Sequence, residues 1–437
     1  MRTLALAVMV VVSMGCGEPA PETCRAGGTG TIIVTSTGLP MGRAAAITVS
    51  SEDAGQALTA SQTLNVSGGG YLVETDPVAT ADTRVRTAYG AVVSPGDFCL
   101  RTNTTQSVSV TWSKIPSSNR VWMTSQNSPT QLLGFDPTKL AMSSTVNASV
   151  ASRGPIGGEI VFDREGNLWT LGGTTSDATL VRFKAADLAT PTNLTPDTQV
   201  DIDFGCVPLA RGLAFDEAGN LWVSSPCRDG IFFIEAKDLK PQADVRKVTP
   251  SKTIAAVDPF GLVFDAAGNL WVASSSDRRL LRFDKASLSE SAPTASLQLG
   301  VFSSTTMGDT SRFSPSWLAF DLNGDLWAND FGANVFYRVP KTALAGTGMT
   351  DVQPAVRLFV SVDAVLEGFA FDESGALWSP GAVGKLIRFG PSQLATSSSS
   401  GTPTMPEATF QSPELGSGRN IAIYPAPAAS PLFHRLP

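Results

Sequence analysis

The stretch Gly212-Leu213-Ala214-Phe215-Asp216-Glu217-Ala218-Gly219-Asn220-Leu221-Trp222-Val223 recurs in close copies at Glu159 to Trp169, Gly261 to Val272, Trp317 to Trp327 and Gly368 to Trp378. A chain that repeats one short pattern at long intervals stacks a single supersecondary unit on itself. The tryptophans mark the interval: Trp122, Trp169, Trp222, Trp271, Trp327 and Trp378 stand 47, 53, 49, 56 and 51 residues apart. Four strands fill one such period. The first reads Gly-Leu-Ala-Phe, a turn Asp-x-x-Gly-Asn follows, and the second reads Leu-Trp-Val. The third is Leu280-Leu281-Arg282-Phe283 or a copy, among them Leu180-Val181-Arg182-Phe183, Phe232-Phe233-Ile234, Phe336-Tyr337-Arg338-Val339 and Leu386-Ile387-Arg388-Phe389. A Pro- and Thr-rich stretch with a weak fourth strand completes the unit, as at Ala295 to Leu299.

The ends of the array complement each other. Trp122 has no Gly-Leu-Ala-Phe-Asp strand before it, and Arg419-Asn420-Ile421-Ala422-Ile423-Tyr424 has no Trp after it. Joined, they make one shared unit that leaves no bare sheet edge between first and last. The expected fold is therefore all-β, a six-bladed propeller over residues 119–424 whose C-terminal strand closes the first blade. A charged fraction of only 16%, beside 40 Gly and 29 Pro, suits short strands joined by many turns.

Within the repeat, alternation puts Leu and Val of Leu-Trp-Val on one face and Trp on the other, so both faces can pack on neighbours. The tryptophans read as core. The Asp suits the start of a turn, where its carboxylate accepts from backbone N–H groups, and the Gly suits positive φ. Asp321-Leu322-Asn323-Gly324-Asp325 offers oxygen ligands for calcium but lacks the longer loop and terminal Glu of an EF-hand. A Cys/His metal centre is disfavoured by the lack of a CxxC spacing and by a single histidine, His434. No metal or cofactor is expected. The net charge of −7 offers no basic stripe, which argues against a nucleic-acid partner.

Ahead of the array, residues 24–113 lack the repeat and alternate instead. Strand-like runs occur at Thr31 to Thr35, Ala46 to Val49, Tyr71 to Glu74, Val85 to Tyr89 and Ser107 to Trp112, separated by Gly, Pro, Asp and Ser clusters. With Thr37-Gly38-Leu39-Pro40-Met41-Gly42 and Gly68-Gly69-Gly70-Tyr71, this segment resembles the small Ig-like or prealbumin-like β-sandwiches of exported bacterial proteins. The resemblance implies a spacer or a protein-binding surface. Residues 114–118 read as a linker and 425–437 as a Pro-rich tail.

Met1-Arg2-Thr3 and the apolar run Leu4 to Val12 make a secretory leader too short to span a bilayer, assigned to residues 1–15. Ser13-Met14-Gly15-Cys16-Gly17 resembles the lipobox of bacterial lipoproteins, although Ser13 stands where that family has Leu. The resemblance implies cleavage before Cys16, acylation of its sulfur, a tether over residues 16–23 and a membrane anchor without a transmembrane helix. Gly17, not being Asp, favours the outer membrane. Cleavage near Gly15 instead would release a soluble secreted protein. With Cys16 acylated, Cys24, Cys99, Cys206 and Cys227 form an even set suited to disulfides in an exported chain. Three pairings are formally allowed; Cys24 with Cys99 and Cys206 with Cys227 keep each bridge within one domain.

Over roughly residues 118 to 424 the pattern Gly-x-x-x-Asp-x-x-Gly-Asn-Leu-Trp resembles NHL repeats and the propellers of gluconolactonases and streptogramin lyases. The lactonase resemblance implies a divalent metal held just before the Gly of each innermost strand. Here those positions are Gly158, Arg211, Phe260, Ser316, Glu367 and Arg419, with Glu159 in place of the first Gly, so only Glu367 keeps a ligand type. The lyases use a His on the propeller, whereas His434 lies beyond the last strand. A diverged metal-dependent hydrolase or lactonase is thus the second reading. The first is a binding or scaffold module, monomeric and envelope-bound, engaging a protein, peptide or glycan. Strand order gathers Arg211, Phe260, Trp317, Glu367 and Arg419 at the channel mouth, with Arg228, Asp277 and Asp330 in outer loops of the same rim, and no acid–base pair is legible among them.

Overall fold

The computed structural model describes residues 24, 27–80, 84–125, 130–172, 178–204, 211–226, 229–241, 244–304, 311–330, 332–360, 368–382, 384–416 and 418–428. Its regular structure is strand, broken by short 3-10 turns. Contacts divide the chain into two compact units. One holds residues up to 38 with 44–75 and 92–111; the other holds 39–43, 76–91 and everything from 112.

In the first unit Thr29–Thr37 pairs antiparallel with Gln62–Ser67 and parallel with Thr105–Lys114. In a second sheet Ile47–Ser50 lies between Gly55–Leu58 and Gly69–Thr75, which pairs in turn with Asp97–Leu100. Alternation decides what is inside: Ile32 and Val34 are buried while Ile33 between them is exposed, and Ile47, Val49, Leu64, Val73, Val108 and Val110 join the core. Cys24 and Cys99 form a disulfide with Cα atoms 5.7 Å apart, the pairing expected. Cys206 and Cys227 lie outside the described residues, as do Cys16 and the whole leader.

Among the described residues the second unit has six sheets, each carrying one repeat tryptophan on its second strand. Their first strands are Gly418–Tyr424, Gly157–Phe162, Leu213–Phe215, Pro259–Phe264, Pro315–Phe320 and Ala370–Phe371. The C-terminal strand Gly418–Tyr424 pairs antiparallel with Arg120–Ser125, placing Val121 opposite Ile423 and Trp122 opposite Ala422. The two ends of the array thus meet in one sheet.

Neighbouring sheets pack through the repeat residues themselves. Trp122, Trp169, Trp222, Trp271 and Trp327 lie with ring centroids 6.1, 5.8, 6.3, 6.4 and 5.9 Å from Phe162, Phe215, Phe264, Phe320 and Phe371, in each case the Phe of the next first strand. All six tryptophans are 0–3% exposed. Apolar burial on both faces of every sheet is what holds such an array together.

One feature escaped the sequence reading. The Pro- and Thr-rich stretch between third and fourth strands also supplies a strand to the preceding sheet. Ser144–Thr145 pairs parallel with Ala408–Gln411, Arg246–Val248 with Thr198–Ile202, and Gly348–Val352 with Leu297–Val301. Single parallel bridges, Arg153 with Asn193 and Val360 with Thr404, repeat the arrangement at two other boundaries. Each such contact covers an outer strand whose hydrogen-bonding groups would otherwise stay open.

Candidate functional site

The six first strands surround a cavity of about 190 Å³ lined by Glu159 to Phe162, Leu213 to Phe215, Leu262 to Phe264, Leu318 to Phe320, Phe369 to Phe371 and Ile421 to Tyr424. Five of these strands lead from the mouth into an Asp-x-x-Gly turn, and the sixth, Gly418–Tyr424, leads into the C-terminal tail.

At the turn rim the conserved geometry of the repeat is structural. Asp265 accepts from the backbone N–H of Ala267 and Asn269 through Oδ1, and from Trp271 Nε1 at 3.0 Å through Oδ2. Asp163, Asp216, Asp321 and Asp372 clamp Trp169, Trp222, Trp327 and Trp378 at 2.9, 3.1, 2.9 and 2.8 Å. Arginines of the third strand then cover the indoles: the guanidinium carbons of Arg182, Arg282, Arg338 and Arg388 stand 5.7, 5.9, 6.0 and 5.6 Å from the rings. Asp321 is a turn and clamp residue, accepting from Asn323 N, Asp325 N and Trp327 Nε1. This rim is also where the chain leaves the last strand. Tyr424 donates its hydroxyl to the Arg164 carbonyl at 2.7 Å, and Ala426 and Pro427 then line the end of the cavity. Arg86 holds the Ala426 carbonyl at 3.1 Å and Glu373 accepts from Ala428 N at 3.0 Å, fixing the tail across that end.

The mouth is built where adjacent first strands approach most closely. A Cβ on Gly212 would lie 2.5 Å from the Phe260 carbonyl oxygen, and one on Gly261 2.9 Å from that of Ser316, so glycine is required at both. Buried side chains of the second strands fasten the same backbone: Ser224 Oγ accepts from Gly212 N at 2.7 Å, Asn329 Oδ1 from Trp317 N at 2.7 Å, and Thr124 Oγ1 from Asn420 N at 3.2 Å. On this frame three of the expected mouth residues meet. The Arg211 guanidinium lies 4.3 Å from the Phe260 ring centroid, and Phe260 meets Trp317 edge-to-face at 6.1 Å. Successive sheets thus contribute a cation, a ring and a second ring to one shelf. Glu367 and Arg228 lie outside the described residues, and of Arg419 only the backbone, within Gly418–Tyr424, is described. Asp330 and Asp277 fasten loops instead: Asp330 accepts from Ser314 N and Gly332 N, and Asp277 from Ser274 Oγ.

The residue that sequence reasoning passed over is Glu159. It occupies the register position held by Gly212, Gly261 and Gly368 in other sheets, a position that Trp317 and Asn420 also fill with side chains. Glu159 Oε2 accepts from Leu213 N at 2.8 Å across the boundary between sheets. Glu159 is half-buried and lines the cavity. Burial pushes its pKa up to about 8, opposed by the Leu213 hydrogen bond. Its signal in the sequence was the break in the glycine register, which registers as a departure from the pattern rather than as a site.

Neither a protein-family model nor a curated protein sequence matches the chain. Solved structures similar to it include virginiamycin B lyase from Staphylococcus aureus, at 14% identity and TM-score 0.34, covering 54% of this chain and 66% of that one. Regucalcin, a calcium-binding protein from Agrobacterium tumefaciens, is similar at 14% identity and TM-score 0.38, over 59% of this chain and 75% of that one. A protein of unknown function from Bacteroides caccae is similar at 10% identity and TM-score 0.43, over 70% of this chain and 98% of that one. The chain spans just under two thirds of the lyase's length. Of these structures the first is a streptogramin B lyase and the second a gluconolactonase-like propeller protein, the kinds of protein that the repeats resemble. The repeat array is a β-propeller.

Proposed function

We propose that this chain is an exported, lipid-anchored propeller protein that binds a ligand at the channel mouth. The observation that carries the reading is the shelf of Arg211, Phe260 and Trp317, side chains from successive sheets in which Phe260 touches both others, on a backbone tight enough to require glycine. Aromatic and charged groups converging at the rim of a concave site are what ligand recognition uses. The six sheets act as six blades, with Gly418–Tyr424 closing the first blade. The unit ahead of them serves as an Ig-like or prealbumin-like spacer over residues 24–113. Cys16 carries the acyl chains that hold the protein to the outer membrane.

Two experiments test this. Capture from envelope extracts by the wild type is expected to be lost in Arg211→Ala and Trp317→Ala; an unchanged captured set refutes the shelf. Palmitate labelling of the intact chain is expected to vanish in Cys16→Ala, and labelling that survives the substitution refutes the anchor.

A further inference from the structure

We propose that Glu159 receives the ammonium group of a small primary amine whose apolar body lies in the channel. The inference rests on the mouth being a binding site and adds what it selects.

The chemistry is set by contrast. Apart from Glu159 and the Tyr424 hydroxyl, which is spent on the Arg164 carbonyl, the cavity is lined by side chains of Ile, Val, Leu, Phe, Ala and Pro. An isolated carboxylate in such surroundings is costly, and a cation that arrives with its own desolvated stem relieves that cost. Oε2 is committed to Leu213 N; Oε1 has no hydrogen-bond partner among the described residues, nor does any Lys or Arg pair with the carboxyl there. The shelf outside is unsuited to a second cation, because Arg211 already covers the Phe260 ring. The group left to read positive charge is the carboxyl inside. A volume of about 190 Å³ exceeds the ~150 Å³ apolar cavity that accepts a benzene ring, so the body is of that order of size. With Ala426 and Pro427 across the turn rim, the amine enters past Arg211.

The test is calorimetric titration of the full chain at pH 9, where the Glu159 carboxyl is ionised and a primary alkylamine keeps its proton, with n-hexylammonium chloride and, separately, n-hexanol. The amine is expected to bind the wild type at least about tenfold more tightly than the alcohol, in line with a charge-assisted contact. Glu159→Gln, whose amide oxygen can still accept from Leu213 N, is expected to erase that advantage while leaving the alcohol unchanged. Equal affinities, binding of neither probe, or an advantage that survives Glu159→Gln each overturn the proposal. If the variant does not fold, by circular dichroism, the wild-type comparison alone decides. A wild type indifferent to both probes, with capture still abolished by Trp317→Ala, overturns the amine and leaves the mouth standing.

Discussion

At the residue scale the repeated Asp does two jobs that a turn alone does not require. One oxygen closes the turn and the other holds the indole of the strand that follows it. Trp271→Phe keeps an aromatic ring but removes the indole donor, while Asn269 Nδ2 still donates to Asp265 Oδ2 at 2.9 Å, so the loss should be that of one hydrogen bond, about 1 kcal/mol. Urea denaturation of the variant measures it, and an unchanged midpoint would remove the clamp from the list of stabilising contacts. Glu159 has the opposite sign. Its folded pKa of about 8 lies above the ordinary 4.5, so between those values the folded chain holds a proton that the unfolded chain has released. Stability from this group is therefore present below the lower value and is lost as pH rises toward the upper one. Glu159→Gln should flatten that fall, by on the order of 2 kcal/mol across the window once channel solvent is allowed for; parallel pH–stability curves for the two proteins would contradict it. The Asp turn was legible because Asp-x-x-Gly is a local pattern. The Asp–Trp bond was not, since six residues of separation say nothing until the hairpin folds. The mouth residues Arg211, Phe260 and Trp317 were legible from strand order, whereas Glu159 was masked by being counted as a failed glycine.

At the element scale the connections between third and fourth strands decide how sheets hold together. The strand Gly348–Val352 is fastened to Leu297–Val301 by its ladder and by Asp351, which takes Arg312 in a two-pronged contact with Nε at 2.8 Å and Arg279 at 3.5 Å. Arg312 holds the Asp351 carboxyl below the usual carboxylate range, its hydrogen bond being the main cause. The three groups are partly exposed, so Asp351→Ala should cost only about 1 kcal/mol, and less in high salt. Denaturation at low and at molar salt tests this, an equal loss in both arguing that packing rather than charge is what Asp351 provides. First to third strands could be read from Leu-Trp-Val and Leu-Leu-Arg-Phe because each is a short apolar run bounded by turn residues. The added parallel strands could not, because their partners lie in the preceding sheet and stretches such as Arg246–Val248 carry no alternation of their own.

For the whole molecule the informative bond is between its ends. Ile421, buried at 8% exposure, sits opposite Met123 in the strand that joins the C-terminus to the first repeat sheet. Ile421→Pro forces a proline ring into that strand and removes a buried apolar side chain, and is expected to lower the melting temperature of the whole array in one cooperative transition. Calorimetry separates this from local fraying, and an unshifted transition would mean that closure contributes nothing. That the ends meet was legible from what each lacked, a Trp at one and a Gly-Leu-Ala-Phe strand at the other. The split into units was less so: residues 76–91 read as part of the segment ahead of the array, yet they pack with it, Arg84 bonding the Leu140 carbonyl at 3.2 Å and Val85 fully buried.

The tail across the turn rim has a kinetic consequence. Arg86 and Glu373 pin Ala426 and Ala428, and Ala426 and Pro427 line the cavity at that end, so under the proposed reading a ligand is expected to pass by way of the opposite end. Arrival and departure then share a single bottleneck at Arg211 and Phe260. Substitutions there remove contacts with the bound ligand as well as altering its path, so they should raise the off-rate more than they change the on-rate, in keeping with the capture expected to be lost in Arg211→Ala.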